Sequence, residues 1–311
     1  LPNNNLKSKI KKETYEWINA LVYAIIFGTI IRLFVFETMM VPTPSMVPTI
    51  QVLDRLFIEK ITYDYTKPKV GDIIVFWTPF IDKTAQKQLG AFDKFMDLFA
   101  PKEFDGHVKY VKRLVGTPGD TIELIPDSKI WERIKKDKDF KTPYWLQKII
   151  DYYGDIDKLP TSVKESVSQL YVNGKIPEGF EDKYYYIDGI FASKDYYTFM
   201  AYPEKYSSDI YRIYNKLRKP MFDLGAFRYY NKTLDYTKYY EKYLAKLDLN
   251  SIFIEENNRV KVVLPEGFYF FMGDNTTESF DSRYFGIVPE KNIIGRPFLR
   301  IWPYNRFGSV K

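Results

Sequence analysis

The stretch VPTPSMVPTI, residues 41–50, sits directly behind the one membrane-length apolar run in the sequence. Ser45 lies between Pro44 and Pro48, and each proline fixes φ and withdraws a backbone donor. Such a segment makes a poor sheet member but a stiff display for a single hydroxyl. Read alone, its commoner explanation is a proline-rich linker joining an anchor to a domain. A nucleophile at Ser45 needs support from elsewhere in the chain.

Immediately upstream, Trp17 to Phe36 reads WINALVYAIIFGTIIRLFVF. A helix of about 20 residues spans about 30 Å, the thickness of a bilayer core. Arg32 stands near the far end, where a long side chain snorkels to the interface. Lys7, Lys9, Lys11 and Lys12 precede the run. By the positive-inside rule they predict a cytoplasmic N-terminus, with everything after Phe36 on the outer side. A cleaved secretory signal is disfavoured, because Glu-Thr-Met-Met-Val follows where a small-x-small site would stand. A buried core helix is the remaining alternative. No second run of this kind appears, so one span is expected.

The 311 residues suffice for one large domain or two ordinary ones, and 45% hydrophobic with 28% charged residues suits a folded chain. The net charge of +6 fits an anionic membrane surface at least as well as nucleic acid. No zinc-finger spacing or RNA-binding aromatic signature is present, so nucleic acid is set aside. The chain has no cysteine, which excludes disulfides, thiolate catalysis and Cys-based metal sites. No metal and no cofactor are expected.

Downstream of Ile50, Asp54 to Tyr63 alternates apolar and polar residues like a strand. Val70 to Trp77 opens on a Gly-Asp turn and runs into a buried-type strand. In Gln88 to Phe104, Phe92, Phe95, Met96 and Phe99 fall on one helical face. That face suits either packing on the core or dipping into lipid beside the anchor. Gly106 to Asp120 is a strand ending in a Gly-Thr-Pro-Gly-Asp turn, and Thr121 to Ile125 continues as another. From 126 to 257 the texture shifts to lysine, tyrosine and short helical patterns, interrupted at 170–175 by LYVNGK, whose Asn-Gly favours a type I′ turn. Strand pattern returns in Arg259 to Met272 around a Pro-Glu-Gly turn and again in Arg296 to Trp302. The expected division is 1–36 for the N-terminus and anchor, 37–125 and 258–311 for a β catalytic region, and 126–257 for a largely helical insertion.

A serine hydroxyl needs a base to become a nucleophile. His107 is the only histidine, so a Ser-His-Asp triad runs through it or not at all, and no acid is placed to orient it. The other candidate base is a lysine held neutral by burial. Lys112 sits in VKYVKRLV, an otherwise apolar strand; Lys109, on the opposite parity, faces solvent by the same pattern. Alone, Lys112 reads as a solvated strand lysine.

Four blocks in order remove that ambiguity: Ser45-Met46-x-Pro48-Thr49 behind the anchor, Gly71-Asp72-Ile73-Ile74-Val75-Phe76, Tyr110-Val111-Lys112-Arg113 with Gly116-x-Pro118-Gly119-Asp120, and Gly273-Asp274-Asn275 followed by Ser279-x-Asp281-Ser282-Arg283. The chain resembles type I signal peptidases, membrane-bound serine proteases that use a Ser-Lys dyad. The blocks cover about a third of the chain and leave 126–257 unmatched except for the hairpin. The resemblance implies a mainly β (α+β overall), antiparallel catalytic region. It implies Ser45 as nucleophile, Lys112 as general base, Ser279 as the hydroxyl orienting the lysine, and the Ser45 N–H with Thr43 as oxyanion donors. Met39, Val41, Ile50, Tyr110 and Val111 align with positions lining pockets for small residues at −1 and −3. Asp281 and Arg283, with Arg113, would form a structural ion pair. Preproteins bearing signal peptides would be the substrates and the lipid bilayer a partner. One departure is Thr276, where many members have Arg. A self-cleaving Ser-Lys repressor is disfavoured by the anchor and the fourth block. The alternative of another class is a non-catalytic, membrane-anchored binding protein that has kept the fold.

Overall fold

The computed structural model describes residues 3–90, 94, 100–186, 234–256 and 259–310. Helix α1, Asn3–Phe34, contains the apolar run. Within it Lys9–Ile31 is long and apolar enough to cross a membrane, and none of that window is buried by the rest of the protein. The helix stops two residues short of the sequence expectation. Phe36 has left it to become the first residue of strand β1, Phe36–Met40, where it pairs with Glu59.

The remaining strands follow in chain order: β2 (Arg55–Glu59), β3 (Ile73–Asp82), β4 (His107–Gly116), β5 (Thr121–Pro126), β6 (Ser168–Val172), β7 (Tyr184–Tyr185), β8 (Leu234–Asp235), β9 (Phe253–Glu256), β10 (Arg259–Val263), β11 (Phe268–Met272), β12 (Val288–Pro289), β13 (Ile293–Trp302) and β14 (Gly308–Ser309). They form two sheets. The larger runs β1-β2-β13-β3-β4-β11-β12, with β14 on β13 and β8 on β3; the smaller runs β7-β6-β5-β10-β9. Each pairing among these strands is antiparallel, as in β3 on β4, where Ile74 faces Lys112.

The short helices fall where the sequence patterns put them, at Ile130–Lys136, Tyr144–Tyr153 and Thr237–Lys242. Those of 130–164 gather Trp145, Leu146 and Ile150 into a cluster of their own. The stretch between β5 and β10 also supplies β6, β7 and β9 to the smaller sheet and β8 to the larger. At the hairpin, Asn173 and Gly174 have φ of +53° and +74°, the left-handed pair a type I′ turn requires. The face of Phe92, Phe95, Met96 and Phe99 lies outside the described residues.

Two apolar layers sandwich the larger sheet. One is the main core around Phe76, Leu114, Phe270 and Phe271, all fully buried. The other is smaller and lies under the proline-rich loop, with Val41, Met46, Ile50, Leu56, Ile58, Val75 and Val111. On β4, alternation sends Tyr110 to the main core and its neighbour Val111 to the smaller layer, which brings the loop of Ser45 against one face of that part of the strand.

Candidate active site

The loop carrying Ser45 is pinched at its base. The Val41 N–H donates to the Asp54 carbonyl at 2.9 Å, and the Leu53 N–H donates to the Val41 carbonyl at 2.8 Å. At its tip, Pro44–Met46 make a single 3-10 turn closed by Val47 N–H on the Pro44 carbonyl at 3.0 Å. The prolines foretold a stiff display, and Ser45 is held with only 3% of its surface exposed.

The turn docks on the Gly273-Asp274-Asn275 segment after β11. Asn275 N–H donates to the Ser45 carbonyl at 3.0 Å, Asn275 Nδ2 to the Pro44 carbonyl at 3.1 Å, and Thr49 Oγ1 to Asp274 Oδ2 at 2.5 Å. Approach this close requires Gly273. A Cβ there would stand 2.5 Å from the Ser45 carbonyl oxygen and 2.2 Å from Ser279 Oγ.

Lys112 reaches the serine from β4. Its Nζ donates to Ser45 Oγ at 2.8 Å and to the Val111 carbonyl at 3.1 Å. The residue is 3% exposed. Burial pulls its pKa from the ordinary 10.5 down to about 8; the Arg283 charge adds to the fall, and Asp281 and Asp274 oppose it. An amine at such a pKa is neutral often enough near neutral pH to take a proton from a hydroxyl it touches. Thr43 Oγ1 lies 3.4 Å from Ser45 Oγ on the exposed side.

The nearby carboxylates are already claimed by arginines. Asp281 and Arg283 are fully buried, joined Nε to Oδ1 and Nη2 to Oδ2, each at 2.8 Å. Ser279 Oγ donates to Asp281 Oδ2 at 2.7 Å, so its hydroxyl proton is committed there and its lone pairs remain. Arg113 does not join this pair, contrary to the sequence expectation. It makes a separate bidentate pair with Asp274 at 2.7 and 2.6 Å. The reason is register: Arg113 lies opposite Met272 on β11, two residues before Asp274. Thr276, the departure from the family pattern, accepts a hydrogen bond from the Arg283 guanidinium through its hydroxyl and another through its carbonyl at 3.0 Å.

Val41, Ile50 and Val111 come together in the small apolar layer, with Met39 packed against it. Tyr110 belongs to the opposite layer, its ring 4.9 Å from Lys112 Nζ. Met46, Ile58 and Val75 complete the floor and were not singled out from sequence, since only the fold shows which aliphatic positions share a face. His107 is five residues from Lys112 on the same strand, roughly 17 Å at strand rise. It is buried with Nδ1 2.6 Å from the Thr78 carbonyl, its pKa lowered chiefly by burial. It is a structural histidine and lies too far from Ser45 to serve as its base.

The family model for signal peptidase, peptidase S26, matches residues 14–302. The chain belongs to that family. Among curated relatives, signal peptidase I of Buchnera aphidicola subsp. Acyrthosiphon pisum is 27% identical, the alignment covering 96% of this chain and 80% of the relative. The probable signal peptidase I-2 of Synechocystis sp. is 25% identical over 98% of this chain and 82% of its own. Signal peptidase I of Aquifex aeolicus is 25% identical over 90% of this chain and 79% of its own. The protein is therefore a serine peptidase of the signal peptidase I type, and its reaction removes signal peptides. The apolar helix α1 fits membrane anchoring.

Proposed function

We propose that this signal peptidase works through a dyad of Ser45 and Lys112 and cuts preproteins after small residues at −3 and −1. The observation that carries the dyad is the 2.8 Å hydrogen bond between a buried lysine amine and the serine hydroxyl. Neutral Lys112 accepts the Ser45 proton as Oγ attacks the scissile carbonyl carbon. The carbonyl oxygen becomes an oxyanion facing the Ser45 N–H and Thr43. Collapse breaks the C–N bond, and Lys112 returns the proton to the leaving amine, the new N-terminus of the mature chain. Lys112 then takes a proton from water as its oxygen attacks the ester carbon; collapse breaks the Ser45 Oγ–C bond, Lys112 returns that proton to Oγ, and the signal peptide leaves as a carboxylic acid that ionises in water. Ser279 acts on Lys112 at one remove, through its bond to Asp281, whose charge favours the protonated amine; the bonds of Lys112 Nζ itself go to Ser45 and Val111.

Small side chains at −1 and −3 are favoured by the packed aliphatic floor of Val41, Ile50 and Val111, bordered by Met39; Tyr110, expected to line the same pockets, packs in the opposite layer and does not join that floor. The four N-terminal lysines set α1 with its start in the cytoplasm and the catalytic region outside. Contact with lipid is supported by a rim that continues from α1. Phe36, Phe57 and Phe298 pack ring on ring, and Trp302 and Phe307 are 45% and 61% exposed. The stretch 126–257 is an insertion between the two parts of the catalytic region. Tethering both enzyme and substrate to one membrane raises their effective concentration.

The test is cleavage of a preprotein with an Ala-x-Ala site, in detergent, by the intact protein and by Lys112→Ala. Cleavage by the first and none by the second is expected. Equal cleavage by both removes Lys112 as the base.

A further inference from the structure

Two backbone carbonyls flank the Ser45 side chain, and one residue holds both. Asn275 donates its N–H to the Ser45 carbonyl at 3.0 Å and its Nδ2 to the Pro44 carbonyl at 3.1 Å. Asn275 is 1% exposed. Its Oδ1 accepts from Thr277 Oγ1 at 3.4 Å, which fixes the amide with its nitrogen toward Pro44. The Pro44 oxygen also takes the Val47 N–H at 3.0 Å, so both of its lone pairs are used.

The Pro44 carbonyl and the Ser45 N–H belong to one planar peptide unit. Holding the oxygen therefore aims the hydrogen. That N–H sits in the first turn of a 3-10 helix, where amides have no partner within the helix. Hydrogen bonds accepted at the carbonyl end also polarise the unit and strengthen donation at the amide end, by about 10–30% per bond. Asn275 reaches its place because Gly273 has no side chain to hold the turns apart.

We propose that Asn275 is a positioning residue for the oxyanion site, aiming and polarising the Ser45 N–H through the Pro44–Ser45 peptide plane. The inference rests on the reading of the Ser45 N–H as oxyanion donor. Asn275 acts through the backbone of Ser45, whereas Ser279 and Asp281 bear on the lysine. The two roles have different kinetic signatures.

The test uses the full chain in detergent, with a preprotein substrate, and compares the parent with Asn275→Ala. The expected result is a fall in kcat of about 10–100-fold, part of the 10²–10³ carried by a whole oxyanion donor. KM holds, and the pH at which the rate rises stays at its parental value. A peptide boronate forming a tetrahedral adduct on Ser45 loses affinity in step with kcat, while the cleaved signal peptide binds as before. A parental kcat overturns the proposal. So does a fall in kcat with a shifted pH profile and unchanged boronate affinity, which would put Asn275 on the lysine side. Should the alanine variant fail to fold, Asn275→Asp keeps the shape and the backbone N–H but turns an oxygen toward Pro44. Its kcat, read at the plateau of its own pH profile, should fall at least as far, and a parental value overturns the proposal. Ser45→Ala and Lys112→Ala are run alongside. Activity in these sinks the dyad beneath the proposal; dead dyad variants beside a parental Asn275→Ala sink only the role of Asn275.

Discussion

Strand β4 carries two lysines three residues apart in opposite electrostatic surroundings. Lys109 points into a charge cluster on the strand that follows α1, where the Glu37 carboxylate sits between it and Lys60. Burial pushes the Glu37 carboxyl up, but the two lysines outweigh it and hold it below the usual range. Lys112 has no carboxylate of its own. The two acids that reach it electrostatically, Asp281 and Asp274, are each held bidentate by an arginine. The fold thus gives one lysine a counter-ion and withholds it from the other. Burial alone does not prepare a lysine to act as a base; burial with the neighbouring carboxylates already satisfied does.

Freeing one of those carboxylates should disturb Lys112 more than any other single change. Arg283→Met leaves Asp281 buried and unpaired, and removing one partner of a buried pair costs about 3–5 kcal/mol. Thermal unfolding in detergent reads that loss. In whatever folds, the rate rises with pH at a point above about 8, because the arginine that lowers the Lys112 pKa has gone while the Asp281 charge that raises it remains. An unshifted rise would mean that the arginines are bystanders to the lysine.

The next effect has the opposite sign. Lys112 is worth less to the folded chain than an apolar residue of its size, because its pKa is depressed from 10.5 to about 8 on folding. The penalty is present in full below about pH 8. It shrinks as pH climbs toward the unfolded value, since there the unfolded chain binds more protons and folding gains with pH. Lys112→Met should therefore be inactive yet more stable at pH 7, by up to about 3 kcal/mol. The gain should fade between about pH 8 and 10.5. A variant less stable than the parent at pH 7 would show that the hydrogen bonds of Nζ outweigh its desolvation.

Which of these features could be read in the sequence follows from how local they are. Alternation placed β2, a Gly-Asp turn before an apolar run placed β3, the stretches on either side of Gly-Thr-Pro-Gly-Asp placed β4 and β5, and Asn173-Gly174 declared its own turn. Ser45 and Lys112 were legible because their blocks recur as motifs. Strand β1 was hidden, since Phe36 continues the apolar run of α1 and only pairing with Glu59 ends the helix. The partner of Arg113 was hidden for a similar reason. Two arginines and four aspartates lie in the matched blocks, and the β4–β11 register, with Arg113 opposite Met272, decides that Arg113 meets Asp274. Asn275 stood in a quoted motif without a role, because nothing local shows that the proline turn lands on it. The floor residues Met46, Ile58 and Val75 are separated by long stretches of chain and united only by sheet order.

The smallest effect tests the other end of β4. Glu37→Gln keeps the shape of the side chain and removes the charge shared by Lys60 and Lys109. Those lysines retain 18% and 21% of their side-chain exposure, so water takes over part of the work. The loss should be about 1 kcal/mol, nearer a surface pair than a buried one. Its pH dependence is diagnostic. A carboxyl with a lowered pKa contributes stability above its unfolded value, here 4.5, and loses it as pH falls through the folded one. The gap between parent and Glu37→Gln unfolding temperatures should therefore be constant near neutrality and close in acid. The rise of kcat with pH should stay where it is, because Glu37 is not among the charges that set the Lys112 pKa. Were that rise to move with Glu37, the two lysines would be one coupled system, and the arginine clamps on Asp281 and Asp274 would no longer suffice to explain why Lys112 is the one free to act.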